Sequence, residues 1–373
     1  MNVLVATGLS APDIGGPATY TAMLEAELPD RGFVVTVVSF RSVRRYPKVL
    51  RHALYAWRVW RASRTADVVY ALDPISVGLP ALLVAKLRRR PFLLRLGGDY
   101  AWEQGRVRFG VTQTLDEYTA SRAAQPWAVR ALAYIQAVVA RRAAQVIVPS
   151  QYLQSIVETW GVSAEKITVI YSALHPTETD QAPPSILNKV HPDWPLLLSA
   201  GRLVPWKGFA MLITLIAQYK QAGRDVSLVI AGDGPDQALL ESLIAEHGVS
   251  DRVQLAGRLR RPALATLIAT ADVFVLNTAY EGLAHQLVEV MDIGTPIVTT
   301  TAGGNTELVT DGVDGLLVSF NDMSALQQAI SKLLDTPLLG QQFVVAAKRQ
   351  VARFAPGPAI AQLDKTLRAS GPK

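Results

Sequence analysis

At 373 residues the chain is longer than one hydrophobic core usually serves, and half of its residues are hydrophobic, so two domains of ordinary composition are expected. The absence of cysteine excludes a disulfide framework and thiolate metal sites, and fits a reducing, cytoplasmic setting. The net charge of +6 is uneven: residues 1–175 hold 21 Lys and Arg against 12 Asp and Glu, the remainder 16 against 19, so an anionic partner is expected of the first half.

The opening "MNVLVATGLSAPDIGG" lacks a basic n-region and a small-residue cleavage site. It predicts a buried strand running into a Gly-rich loop at Gly15 and Gly16, and is expected to stay on the mature protein. Short apolar runs then alternate with helical patterns. "VVTVVSF", "DVVYAL", "PFLLRL", "AQVIVPS" and "KITVIY" follow in the first half, and "PLLLSAG", "DVSLVIAGDG", "RVQLAG", "DVFVLNT", "TPIVTT" and "DGLLVS" in the second. This alternation predicts an α/β chain with two doubly wound, Rossmann-like parallel sheets facing a central cleft. The first domain is expected over 1–175 and the second over 195–356. Between them 176–194, part of "HPTETDQAPPSILNKVHPDW", reads as a linker. After the break "APGP" a last helix, about 357–373, is available to pack back on the first domain.

The longest apolar candidate, "PWAVRALAYIQAVVARRAAQVIVP", carries Arg130 and the Arg141-Arg142 pair, so no membrane span is predicted. The segment Phe40–Arg64 puts Tyr46, Val49, Leu50, Ala53, Trp57 and Trp60 at helical spacing, with Arg44, Lys48, Arg51, Arg58 and Arg61 largely elsewhere. Two readings stand. The stripe packs into the domain core with its arginines solvated, or it lies on an anionic bilayer, a reading that "KLRRR" (Lys86–Arg90) strengthens. No recognised binding motif accompanies the charge, so nucleic acid is not expected as a partner.

The second half carries the sharper motifs. "LLLSAGRLVPWKGF" ends a strand at Gly201 and sets Arg202 and Lys207 five residues apart in a loop before a helix. Two cations at the carboxyl edge of a parallel sheet suit a diphosphate, Arg as a fork and Lys as a point charge. In "YEGLAHQLVEV" the turn Glu281-Gly282-Leu283-Ala284 leads to a helix starting near His285 or Gln286, whose N–H groups at Leu287 and Val288 are expected to form an anion site. Carboxylates beside a phosphate make sense where they accept bonds from hydroxyls on either side of it. A sugar nucleotide has that layout, with Glu281 on the sugar and Glu289 on the ribose.

These segments, with "VIAGDGP", "TTTAGGNTELV" and "VPSQYLQSIVETWGVSAEKITVIY", resemble the family 4 GT-B glycosyltransferases, the retaining, sugar-nucleotide-dependent group. The resemblance is tight over about 150–350 and looser before it. It implies that Glu281 lies near the donor sugar, that Glu289 holds the ribose, and that Arg202 and Lys207 neutralise the leaving diphosphate. Gly15 and Gly16 then resemble the loop that approaches the donor phosphate. It further implies transfer of a hexose-type sugar with retention to an acceptor such as a lipid-linked glycan or glycolipid; the cysteine-free composition and the bilayer reading of Phe40–Arg64 set the expectation of a cytoplasmic enzyme, peripheral on the inner face of the membrane. No Asp-x-Asp occurs, so no metal and no cofactor are expected.

Where relatives often have a histidine after a central strand, this chain has "LLRLGGDYAWEQG". Asp99 is therefore the candidate to orient the acceptor or donor sugar, against a capping role in a Gly turn. Ser172 stands where relatives tend to have Asn-Gly and is given no role. His285 reads as a helix-start residue near the donor sugar. Two rivals share the fold, a sugar-nucleotide epimerase and a donor-binding protein without transfer. A dinucleotide oxidoreductase is disfavoured by Gln237, which replaces the third Gly of that fingerprint.

Overall fold

The computed structural model of the protein describes residues 1–10, 16–174, 179–180 and 185–371. The chain divides into two compact units, Met1–Ala173 with Pro356–Lys373, and Leu174–Ala355. The twelve strand segments expected from the sequence all form strands, trimmed by a residue or more at most ends.

Unit 1 contains β1 (Asn2–Thr7), α1 (Gly16–Glu27), β2 (Val34–Ser39), α2 (Lys48–Ala62), β3 (Val68–Ala71), α3 (Gly78–Leu87) and β4 (Phe92–Arg95). It continues through α4 (Tyr100–Arg108), α5 (Leu115–Ala120), α6 (Trp127–Arg142), β5 (Gln145–Val148), α7 (Gln151–Glu158) and β6 (Ile167–Val169). All strands pair in parallel, in the order β2-β1-β3-β4-β5-β6. Helices cover both faces, so β3 and β4 are buried along their whole length, which is why their sequences are unbroken apolar runs rather than alternating ones.

Unit 2 contains β7 (Leu196–Ala200), α8 (Phe209–Gln221), β8 (Ser227–Ala231), α9 (Gln237–Glu246), β9 (Val253–Gly257), α10 (Arg261–Thr270) and β10 (Val273–Leu276). There follow α11 (His285–Ile293), β11 (Ile297–Thr300), β12 (Leu316–Val318), α12 (Met323–Asp335) and α13 (Pro337–Val351). Its sheet is ordered β12-β11-β10-β7-β8-β9. The chain runs outward from β7 to β9, then returns to place β10 on the other side of β7. The loops leaving β7 and β10 therefore diverge at a topological switch point, where open α/β sheets bind ligands.

The final helix, α14 (Pro356–Ser370), starts at the first proline of "APGP" rather than after it, because proline in a first turn has no helical N–H to lose. It packs Ile360, Leu363 and Leu367 with Met23 and Leu24 of α1 against Val5, Tyr70 and Leu93 of the unit 1 sheet. The expected linker is bonded within unit 2: the Asp180 amide donates to Thr266 Oγ1 at 2.9 Å, and the Arg252 guanidinium lies 4.3 Å over the Trp194 ring.

Helix α2 departs from the expected stripe. Tyr55 and Val59 face inward, Tyr55 donating to the Val38 carbonyl at 2.9 Å, whereas Leu50 and Trp57 are 48% and 53% exposed. The side chains of Lys48 and Val49 lie outside the described residues. Among the described residues no helix is long and apolar enough to cross a membrane.

The carboxyl edge of the unit 2 sheet depends on backbone contact between loops. Gly232, at φ 148°, presses against Gly201, so that a Cβ there would overlap the Gly201 carbonyl oxygen. Gly232→Ala is expected to destabilise unit 2 by about 2–4 kcal/mol, through overlap and an unfavourable φ together. A urea unfolding midpoint unchanged from the parent chain would refute this packing account.

Candidate active site

The loop after β7 is fixed from both sides. The Gly201 amide donates to the Ala231 carbonyl at 2.9 Å and the Leu203 amide to the Asp233 carbonyl at 2.9 Å, lacing this loop to the one after β8. Pro205–Lys207 then form a short 3-10 turn that ends at Gly208, which is at φ 57° and abuts Asn277. The turn is held to the loop after β10: the Ala279 amide and the Thr278 hydroxyl both donate to the Trp206 carbonyl, at 2.8 and 3.2 Å. The buried Asn277 side chain adds bonds to the Gly208 carbonyl at 3.1 Å and to Asn321 at 2.8 Å. These bonds join the two diverging loops of the switch point.

They also bring Lys207 to Glu281. The Lys207 ammonium donates to Glu281 Oε1 in an ion pair whose side chains are only 15% and 14% exposed. The lysine stem lies across Gly201, 3.5 Å from where a Cβ would stand. The cation expected on a diphosphate and the acid expected on a sugar are therefore partners. Each keeps capacity for a ligand, two N–H groups on Lys207 and the second oxygen of Glu281. Arg202 is exposed and makes no ion pair among the described residues.

Glu281 and Gly282 are seated on the segment "TTTAGGN". The Gly304 amide donates to the Glu281 carbonyl at 2.9 Å, and a Cβ on Gly304 would come 2.6 Å from the Gly282 carbonyl oxygen. Gly303, at φ 59°, leaves no room for a side chain over Glu281. Asn305 anchors the segment through Nδ2 to Thr299 Oγ1 and the Thr300 carbonyl, both at 3.2 Å. Leu283 and Ala284 are buried, so the turn presents mainly backbone to a ligand.

The start of α11 corrects one expectation. Its first residue is His285, with Ala284 as a non-helical N-cap, and the Leu287 amide donates to the Ala284 carbonyl at 2.9 Å. The helix closes with a tight i to i−3 turn, so the Leu287 N–H is not a free anion donor. Val288 lies one residue further in, its side chain buried. Glu289 accepts from Arg261 at 2.8 Å, with the two side chains 27% and 43% exposed. Arg261, at the start of α10, was not anticipated as a site residue; its signal was the "RLRRP" run before a helix-starting proline.

In unit 1, Asp99 is corrected from an orienting group to a cap. It is fully buried as the N-cap of α4, accepting from the Trp102 amide at 2.9 Å and from Gln136 Nε2 at 2.8 Å. Burial pushes its carboxyl above the ordinary Asp range, and the amide and Gln136 bonds only partly offset that. Gly16 opens α1 with empty space where a Cβ would stand, while Gly15 lies outside the described residues. No group of three or more Asp, Glu or His that could hold a metal occurs among the described residues.

The profile described as Glycosyl transferases group 1 matches residues 188–350, within unit 2, and the one described as Glycosyltransferase Family 4 matches residues 14–178, nearly all in unit 1. The alpha-D-kanosaminyltransferase of Streptomyces kanamyceticus is 32% identical over 180 residues, 48% of this chain and 47% of that protein. The chain spans about half the length of the curated relatives it matches first. The sucrose-phosphate synthase of Thermosynechococcus elongatus superposes with a TM-score of 0.80 at 20% identity, covering 99% of this chain and 98% of that one. HepE of Anabaena, solved with UDP and glucose, superposes with a TM-score of 0.77 at 21% identity over 99% and 100%. These likenesses carry the two-domain GT-B fold.

Because the folded pKa of Asp99 is raised, the native state holds this proton more tightly than the unfolded chain does. Its contribution to stability is then greatest below the ordinary Asp range and falls as pH rises through the folded pKa. Asp99→Asn keeps a capping oxygen and removes the charge. The variant should gain stability relative to the parent as pH is raised from about 4 to about 7, measured as paired urea midpoints. A constant difference over that range would contradict the burial account.

Proposed function

Since the chain belongs to family 4 of the GT-B glycosyltransferases, we propose that it moves a hexose-type sugar from a nucleotide-sugar donor to an acceptor hydroxyl, with retention and without a metal. The observation that carries this reading is the part-buried Lys207–Glu281 pair at the switch point of the unit 2 sheet. A carboxylate fixed by a lysine offers its other oxygen to sugar hydroxyls, while the ammonium keeps donors for an adjacent phosphoryl oxygen. The ion pair also lowers the repulsion that a free carboxylate would exert on a bound diphosphate.

Breaking the glycosidic C–O bond leaves negative charge on the diphosphate and positive character on the sugar. Lys207, Arg202 and the N-terminal end of α11 meet the first as fixed dipoles and charges that need no reorganisation during the reaction. Glu281 meets the second. Glu289, oriented by Arg261, is suited to ribose hydroxyls. The solved complex of HepE with UDP supports a nucleoside diphosphate as the carrier. The epimerase reading has no observation in its favour, and the first curated relatives are named as sugar transferases.

The same proposal extends to a lipid surface. Helix α2 shows Leu50 and Trp57 to solvent beside the exposed Arg58, Arg61 and Arg64, with the Arg61 guanidinium 5.0 Å over the Trp57 ring. Helix α3 packs beside it, exposes Leu83 and Leu87, and is followed by Arg88, whose guanidinium lies 3.5 Å over the Trp60 ring. Apolar tips among arginines suit the interface of an anionic bilayer. These features support the reading of an enzyme peripheral on the inner face of the membrane, with a lipid-linked glycan or glycolipid as the acceptor.

Arg202→Ala and Lys207→Ala should each weaken nucleoside diphosphate binding by about 1.5–3 kcal/mol in calorimetry, and Glu281→Gln should lower turnover far more than it weakens that binding. Unchanged affinity in both cation variants would reject the diphosphate site. In liposome flotation the chain should rise with vesicles containing anionic lipid and stay down with neutral ones. Combined Arg58→Gln, Arg61→Gln and Arg64→Gln substitutions should abolish the rise, and flotation indifferent to lipid charge would remove the membrane proposal.

A further inference from the structure

Arg95, the last residue of β4, is an arginine without a counter-charge. It is only 7% exposed, and it makes no ion pair among the described residues. One arm, Nη2, donates to Ser172 Oγ at 2.7 Å, and the guanidinium carbon lies 3.8 Å over the ring of Tyr20. The other arm, Nη1, is buried with no hydrogen-bond partner. Its neighbours among the described residues supply no negative charge. The Tyr70 hydroxyl pairs with that of Tyr20 at 2.9 Å, and burial holds the Tyr70 phenol well above its ordinary pKa, so it stays neutral. The carboxylates at this edge are engaged elsewhere: Asp73 accepts from the Ile75 and Ser76 amides, both at 2.6 Å, and Asp99 caps α4.

A guanidinium taken out of water normally finds an anion or a full set of acceptors, because its desolvation is otherwise uncompensated. Here its company is neutral, the hydroxyls of Ser172 and Tyr70 and the aromatic face of Tyr20. Its position is also that of a ligand site. Arg95 ends a strand at the carboxyl edge of a parallel sheet, and Tyr20 lies just past the first turn of α1, whose twelve residues start at Gly16. A Cβ at Gly8, Gly16 or Gly97, which follow β1, open α1 and follow β4, would meet nothing within 4 Å, so there is space beside the backbone at these three points.

We propose that Arg95 is the receptor for an oxyanion, a phosphate or a carboxylate, carried by the sugar acceptor. The word acceptor rests on the glycosyltransferase reading; the oxyanion site does not. The acceptor is preferred to the donor because the donor diphosphate already has Arg202 and Lys207, which belong to the other unit. The unpaired Nη1 is the arm that takes the oxyanion, while Ser172 and Tyr20 hold the guanidinium plane in place.

The test is a thermal-shift titration of the full chain with inorganic phosphate, and in parallel with acetate, in a buffer otherwise poor in anions. It uses the parent, Arg95→Met, Arg95→Lys and the Arg202→Ala/Lys207→Ala double variant. The parent and the double variant should both show a saturable rise in melting temperature with phosphate or acetate, the stronger of the two identifying the oxyanion. Arg95→Met should lose the part of the rise that the double variant keeps, and without added anion it should melt at or above the parent, because an uncompensated buried charge has gone. Arg95→Lys, which keeps the charge but not the fork, should retain the rise with an apparent affinity at least about tenfold weaker. Nucleoside diphosphate affinity in Arg95→Met should equal that of the parent.

A phosphate response that persists undiminished in Arg95→Met or Arg95→Lys would overturn the site. So would an Arg95→Met chain that melts below the parent in anion-free buffer, since Arg95 would then be structural. Loss of nucleoside diphosphate affinity in Arg95→Met would overturn the assignment to the acceptor. An intact phosphate response in a chain that transfers no sugar would count against the transferase reading alone.

Discussion

The ion pair between Lys207 and Glu281 ties together the two loops that part company at the centre of the unit 2 sheet. Parallel neighbours β7 and β10 send their connections in opposite directions, and the gap this opens is where a ligand can reach strand ends, amides and side chains at once. A gap of that kind is useful only if its walls are fixed. The Trp206 carbonyl, taken by both Thr278 and Ala279, sets the height of the lysine turn against the glutamate turn, and the charge pair closes the connection above it. With each charge already opposed, this edge stays close to neutral, and neither group is stranded in a part-buried position.

Much of what holds that geometry is backbone against backbone. Gly201 meets Gly232, Gly234 meets the Leu203 carbonyl, and Gly303 and Gly304 meet Glu281 and Gly282. Any side chain at these points would drive the loops apart, and with them the groups that the loops carry. The motif "TTTAGGN" thus acts as a floor for the glutamate turn rather than as a ligand itself, and the buried Asn305 locks the floor to the ends of the sheet. Second-layer bonds of this sort are what keep a preorganised electrostatic site from relaxing away from the charge it is to meet.

Unit 1 solves a different problem with buried charge. Asp99 and Arg95 lie four residues apart at the end of one strand, yet they do not pair. Asp99 finds an amide and a glutamine, while Arg95 finds the Ser172 and Tyr70 hydroxyls and the face of Tyr20 and leaves one arm unmatched. Outside this edge, the basic helix α2 divides its aromatic residues between core and surface. Its inward face is set by Tyr55 and Val59, one turn apart, and this turns Leu50 and Trp57 outward among arginines.

The twelve strands, the doubly wound class and the order of the motifs were legible in the chain itself. Unbroken apolar runs between helical patterns have few other stable arrangements, and cations or acids placed just after such runs must fall at the carboxyl edge. The partners of those groups were not legible. Lys207 and Glu281 are 74 residues apart, and Arg261 and Glu289 are 28 apart on different helices, so no local spacing records their contact. The same holds for Asp99, whose short polar turn reads alike in solvent or in a core until Gln136 from α6 is brought against it. Local pattern determines which elements form and which residues stand at their ends, because it acts through backbone preference and burial along one segment. Which charges meet, which are sealed from water and which keep an arm without a partner is decided only when distant segments are packed together.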